Sequence, residues 1–291
     1  MGHGAQSATV AEVGATLREY SDGEGPILDG FAVDEPAGGG RGQPLLPWPN
    51  RIRDGKYTFD AAVQQLPINE VERQNAIHGL TRWRNWTPVE LKPSSVVLML
   101  LLHPQPGYPY SLLLSIAYEL SDTGLCVTTT ARNAGRERLP FGAGFHPYVY
   151  AGGGLVDDLT LAVPSTRMLV FDDRQLPTAA RADVRGTKHD FSSPRRVGGV
   201  QLDACYCDLE RDGGGVASVR AGTVEVWMDA AFDFLMVFSG DALPDRERRR
   251  RGLALEPMTC PPDAFNSGTG VVVLEPGGRF SARWGLGRKR N

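Results

Sequence analysis

Tyr110–Leu120 reads YSLLLSIAYEL, with Leu112, Leu114, Ile116, Tyr118 and Leu120 at alternate positions and Ser111, Ser115 and Glu119 among those between. Successive side chains of a strand point to opposite faces, so this spacing predicts a strand with one face on a core. Working outward, Val224, Val226 and Met228 alternate with Glu225, Trp227 and Asp229, and Phe280, Ala282, Trp284 and Leu286 repeat the pattern near the end. Val96–Leu102 and Phe234–Phe238 are apolar throughout, which predicts central strands covered on both faces. Gly, Pro, Asn and Asp separate these runs, and no comparable stretch has a helical period. The expected fold is therefore an all-β antiparallel sandwich with long loops and little helix.

With 291 residues and 41% hydrophobic content, the chain can bury a large core. One domain over 1–291 is expected, with 1–8 and 287–291 as candidate flexible ends. Ser21–Pro44, Pro164–Val200 and Ser239–Gly252 are rich in Gly, Pro or charge and read as long loops that cover a binding site. A net charge of −3 gives no reason to expect nucleic acid or an anionic membrane as partner. The run Arg246–Arg251 is interspersed with and flanked by acids and reads as a solvated loop, and Arg288-Lys289-Arg290 as a solvated tail. The N-terminus lacks a basic segment followed by an apolar one, and the apolar runs are too short to span a bilayer, so a soluble cytoplasmic protein is expected. Cys126, Cys205, Cys207 and Cys260 lack metal-type spacing and read as free thiols.

Several segments carry candidate chemistry. Leu253–Gly268, LALEPMTCPPDAFNSG, delivers one carboxylate, Glu256, into a proline-punctuated loop. Pro257 disfavours helix at Glu256, which predicts an extended carboxylate at a strand end, displayed as an acid or base or simply facing water. Phe141–Tyr148, FGAGFHPY, presents His146 between small residues and Pro147. Pro47–Arg51, PWPNR, sets the Trp48 ring near the Arg51 guanidinium, and Asn75–Leu80, NAIHGL, holds His78 before a glycine. Asp203, ahead of Ala204-Cys205-Tyr206-Cys207, can accept hydrogen bonds from a polyhydroxylated ligand. No H-x-x-x-H pair supports a metal site, and no phosphate loop, dinucleotide fingerprint or G-x-S-x-G elbow occurs in its required setting.

Taken in order, PWPNRI, NAIHGL, FGAGFHPYV, the Leu202-Asp203 pair before a Tyr, and LEPMTCPPDAFNSG resemble the aldose 1-epimerase (galactose mutarotase-like) family over nearly the whole chain. The resemblance implies a β-supersandwich and cofactor-independent interconversion of the anomers of a free monosaccharide, by a monomer or homodimer. It places the base on Glu256, the acid on His146, and sugar binding on Arg51, His78 and Asp203. Trp48, Tyr148 and Trp227 are candidates for an apolar wall against the sugar. Pro147 and the EPMTCPPDAFNSG run look more like a bacterial branch, so a preference for galactose over glucose is not carried over. Two other outcomes are a hexose 6-phosphate mutarotase, with phosphate bound by Arg82, Arg84 or the Arg246–Arg251 loop, and a non-catalytic sugar-binding module. Asp263 and Asn266 either line the site or cap the turn.

Overall fold

In the structure, a computed structural model describing residues 1–289, the opening stretch lies in the strand Leu112–Ser121. Its five alternating apolar residues are all at most 2% exposed. That strand belongs to a nine-stranded antiparallel sheet with the order Thr87–Lys92, Ser95–Leu102, Leu112–Ser121, Gly124–Asn133, Arg279–Arg288, Val224–Met228, Ala217–Ala221, Thr160–Ala162 and Arg195–Arg196. A second, eight-stranded sheet runs Pro177–Asp183, Arg167–Phe171, Asp203–Cys207, Phe234–Phe238, Gly252–Met258, Gly144–Phe145 and Pro44–Leu45, with Tyr148–Tyr150 also paired to Gly252–Met258. Among the described residues helix is confined to Ala264–Ser267 and three short 3₁₀ turns. No helix is long and apolar enough to cross a membrane among the described residues.

The two faces of the second sheet have different work. Ala204, Tyr206, Leu235, Val237, Leu253 and Leu255 point into the large core shared with Ile116, Val226 and Trp284. Burial of side chains this size contributes ~1.5–3 kcal/mol each. The alternate residues Cys205, Cys207, Phe234, Met236 and Met258 form a smaller cluster with Leu169 on the opposite face. Asp203 and Glu256 share that face by the two-residue period of their strands. The site is thus mounted on the back of a core-forming sheet.

Pairing register explains why His146 meets Glu256. On one flank of Gly252–Met258, Gly144 pairs with Met258 and Tyr148 with Ala254. The same register across the intervening gap sets His146 opposite Glu256 and Pro147 opposite Leu255, whose N–H donates to the Pro147 carbonyl. Pro257 lacks an N–H to give, and it falls beside this interruption in the ladder.

Four expectations need correction. Glu256 is not at a strand end but inside a fully buried central strand, because Pro257 is accommodated where the ladder is already broken. Val96–Leu102 is next to an edge, and its second face is open, with Leu101 42% exposed. Pro164–Val200 contains the strands Arg167–Phe171 and Pro177–Asp183. The described parts of both ends are paired rather than loose: Gly2–His3 pairs with Gln6–Ala11, and Arg279–Arg288 sits in the nine-stranded sheet with Arg288 bonded to Asp22. Arg290 lies outside the described residues.

Truncation of Ile116 to Ala should lower unfolding free energy by ~2–5 kcal/mol, and Leu101→Ala by less than ~1 kcal/mol. Urea unfolding of both variants checks this, and equal losses would contradict the one-sided packing of the outer strands.

Candidate active site

His146, in the gap between Gly144–Phe145 and Tyr148–Tyr150, faces Glu256 in Gly252–Met258, with Nε2 of the imidazole 3.3 Å from Oε1 of the carboxyl. Both side chains are almost fully buried. Nδ1 of His146 and Oε2 of Glu256 have no hydrogen-bond partner among the described residues. Buried polar atoms are rarely left unpaired, and here the two fall on the two groups in contact. Beneath His146 the Tyr148 ring stacks at 4.9 Å and 9°, anchored by its hydroxyl on the Gly39 carbonyl. Arg41 covers the other side of Tyr148 at 4.4 Å and is itself paired to Asp29. Above it, Gly40 has φ +79°, and a Cβ there would lie 2.8 Å from Cδ2 of His146.

His78 lies edge-on to His146, with ring centroids 5.5 Å apart. Its backbone is left-handed, at φ +64°, and Asn50 is left-handed as well, at φ +54°. The two hold each other: the His78 N–H donates to the Asn50 carbonyl, and the Asn50 N–H donates to Nδ1 of His78 at 3.2 Å. That second bond makes Nδ1 the acceptor, so the neutral ring carries its proton on Nε2. Strain of this kind persists where surrounding contacts fix it, and here it fixes a donor. Gly79 follows because a Cβ there would strike the Leu46 carbonyl at 1.9 Å.

Arg51 is held by Glu70, which receives bonds from Nε and Nη2 at 3.0 Å. Its Nη1 reaches Oδ1 of Asn50 at 3.3 Å. Burial alone would lift the Glu70 carboxyl, but Arg51, then Asn75 and Arg73, hold it below the usual value. The fork is therefore oriented before any ligand arrives. Glu70 had no signal in sequence beyond being an acid in a loop, and only folding reveals it as the anchor of Arg51.

A cavity of roughly 220 Å³ joins His146, Glu256, Arg51, His78 and Asp203. That is below the ~300–1,000 Å³ of sites for drug-sized ligands and suits one small ring. Asn50, Arg73 and Arg82 add polar lining. Gly39 and Gly40 from the Ser21–Pro44 loop, and Ala242 and Leu243 from the Ser239–Gly252 loop, close its sides. Asp203 is half-buried at the rim, and its carboxylate has no protein hydrogen bond among the described residues.

The three aromatic candidates do not form the wall. Trp48 is 2% exposed and packs edge-on to Phe265 at 5.8 Å, so it belongs to the core. Tyr148 lies under His146 and orients it without lining the cavity. Trp227 is on the outer face of the other sheet, against Gly285 and under Arg283, beside a separate hollow. Alternation gave its strand correctly but could not say which side carried the site. Asp263 caps a turn, accepting from the Arg53 N–H and from Asn266. Among the candidate phosphate binders, Arg84 bonds Gln105 at the surface, while Arg248 pairs with Asp29 and Glu35 and Arg250 with Asp157 and Asp241. Only Arg82 reaches the cavity.

Burial sets the charge of the central pair. It lifts Glu256 well above the usual carboxylate range, with the Asp203 charge adding to the rise and Arg51 and Arg82 opposing it. It lowers His146 to about 3, helped by Arg82 and Arg41. His78 is likewise pushed well below its ordinary value, by burial first and then by Arg82, His146 and Arg51. Burial therefore favours a carboxylic acid beside a neutral imidazole, two groups in contact that can exchange a proton. Moving that proton from oxygen to nitrogen gives a base and an acid together.

The profile of the aldose 1-epimerase family matches residues 1–286. The chain belongs to the aldose 1-epimerase family. The Escherichia coli protein YihR, itself uncharacterized, is 33% identical over 271 residues, or 93% of this chain and 86% of that protein. Rat galactose mutarotase is 30% identical over 155 residues, covering 51% of this chain and 44% of that protein. Among solved structures, a galactose mutarotase-like protein from Clostridium acetobutylicum aligns with a TM-score of 0.86 at 20% identity, over 99% of this chain and 94% of that one. A GalM/aldose epimerase homologue from C. elegans gives 0.84 at 20% identity, over 99% and 97%. At that identity the likeness is one of fold, and it agrees with the β-rich, two-sheet architecture.

Because Gly40 touches the imidazole edge, Gly40→Ala should displace His146 and lower kcat for anomer exchange at least ~10-fold, since small misplacements of a reacting group are expensive in rate. Unchanged kcat in a folded variant would show that the contact does not position His146.

Proposed function

We propose that the protein interconverts the α and β anomers of an aldohexose, with Glu256 as base and His146 as acid. The observation carrying this reading is the 3.3 Å contact between Nε2 of His146 and Oε1 of Glu256 inside a cavity sized for one ring. In the closed-ring complex, the Glu256 carboxylate removes the proton from the C1 hydroxyl. The O1 electrons form the aldehyde, the C1–O5 bond breaks, and O5 takes the proton from the His146 imidazolium. Rotation about C1–C2 presents the other aldehyde face, and the reverse steps close the ring. His78 Nε2–H and the remaining Arg51 N–H groups donate to sugar oxygens, and Asp203 accepts from hydroxyls. His78 and Arg51 are fixed by Asn50 and Glu70, so little reorganisation of these donors accompanies the reaction.

Ring opening leaves Glu256 protonated and His146 neutral, the state that burial favours. The charged pair exists only while the ring is closed, in surroundings that disfavour both charges. Opening the ring discharges it, and the cost of forming the pair from its neutral form is part of the barrier that contacts made in the transition state offset.

Glu256→Gln and His146→Asn should each lose ~10²–10⁴-fold in kcat/KM, measured by polarimetry or by NMR exchange between the anomers of glucose or galactose. Sugar binding by calorimetry with no exchange in the unaltered protein would instead identify a binding module.

The pH dependence follows from the single shared proton. A second proton is not taken up until pH nears about 3, because His146 is lowered, so kcat/KM should show no acid limb near the ordinary histidine value of 6.5. The shared proton is retained as pH rises through the ordinary carboxylate range, because Glu256 is raised, and activity falls only above that raised value. A sharp loss of activity between pH 7 and 6, around the unperturbed histidine value of ~6.5, would contradict the pair as described.

A further inference from the structure

Four consecutive residues of the Ser21–Pro44 loop hold His146. Gly40 lies against the imidazole edge, and Arg41 covers the far side of the Tyr148 ring that stacks beneath it. The Gly42 N–H donates to the His146 carbonyl at 2.9 Å, and the His146 N–H donates to the Gln43 carbonyl at 3.1 Å. One buried ion pair anchors this run. Nη2 of Arg41 donates to Oδ2 of Asp29 at 2.9 Å and Nη1 to the Gly38 carbonyl at 3.1 Å, with Asp29 8% and Arg41 4% exposed. The Asp29 N–H donates to the Tyr148 carbonyl at 2.8 Å. Its side chain lies against Gly252, the first residue of the strand carrying Glu256, where a Cβ would come within 2.8 Å of it. Neither Asp29 nor Arg41 is among the described residues that line the cavity.

A buried ion pair is a poor source of stability, because desolvation consumes most of the attraction and apolar side chains of similar volume often serve as well. What it supplies is direction: a planar guanidinium bonded at two points takes one orientation over the Tyr148 ring. We propose that the Asp29–Arg41 pair positions the reaction's acid, fixing Tyr148 and Gly40–Gln43 so that the His146 imidazole meets Glu256 at the reacting distance. This rests on the anomer-exchange reading of the cavity. Asp29 and Arg41 act through other side chains, so they are positioning residues. The sugar-binding donors are anchored elsewhere, Arg51 by Glu70 and His78 by Asn50. Loss of the pair therefore falls on the chemical step and spares sugar affinity.

The test replaces both charges with apolar side chains, Asp29→Leu together with Arg41→Met, and compares this double variant with Asp29→Asn. The double variant leaves no charge unpaired, since Arg248, the other partner of Asp29, keeps Glu35, so it decides the matter even where Asp29→Asn does not fold. By NMR anomer exchange of glucose or galactose, kcat should fall ~10–100-fold, while calorimetry finds the affinity for the same sugar little changed. A crystal structure of the double variant should show Nε2 of His146 moved out of contact with Oε1 of Glu256. Unchanged kcat in the folded double variant, or kcat and sugar affinity lost in equal measure, would overturn the inference. Absence of exchange in the unaltered protein would refute the anomer-exchange reading instead. In that case the crystal structure still decides: a displaced imidazole supports the positioning role, and one that stays against Glu256 refutes it.

Discussion

A carboxyl and an imidazole in contact, both side chains almost fully buried, is the constraint on which the molecule turns. Burial disfavours either charge there, raising the carboxyl and lowering the imidazole, so the two groups titrate as a coupled pair. The rest of the structure keeps them at that distance. Two short strands carry the chain past Gly252–Met258 in a common register, and the gap between them sets His146 opposite Glu256. Tyr148 below and Gly40 above leave the imidazole little freedom.

The division of labour between the faces of the eight-stranded sheet makes such a site tolerable. One face is given to the large core, where Leu253 and Leu255 hold the strand that carries Glu256. The other carries the polar groups, and there the costs appear: left-handed His78 and Asn50, an unpaired Oε2 on Glu256, an unpaired Nδ1 on His146. Exposed polar strand ends would not need these features. They are local violations of the rules the rest of the chain obeys, which is where a functional site is expected.

Much of this was legible in the sequence. The period-two runs gave the sheets because each strand buries one face, and Leu112 to Leu120 pointed inward as spaced. Arg51, His78, His146, Asp203 and Glu256 converge on one cavity, and the ordered motifs that resembled the family had named all five. What alternation could not give is depth and sidedness. Trp227 shows the right period on the wrong sheet, and Val96–Leu102 looks doubly buried although one flank is open. Glu70 and Asp29 are distinguished only by their partners, and a linear pattern does not contain that. Pro257 predicts an extended Glu256, and the backbone there is extended, but the strand runs on through Pro257 to Met258, so Glu256 is not at its end.

The protonation state of His146 bears most directly on the central claim. Nitrogen-15 NMR of the imidazole, assigned by comparison with His146→Asn, should show a neutral ring in the sugar-free protein from about pH 8 down to about pH 5, well below the ordinary histidine titration. A ring that gains its proton near pH 6.5 would mean the site does not suppress the charge, and the shared-proton account would be wrong.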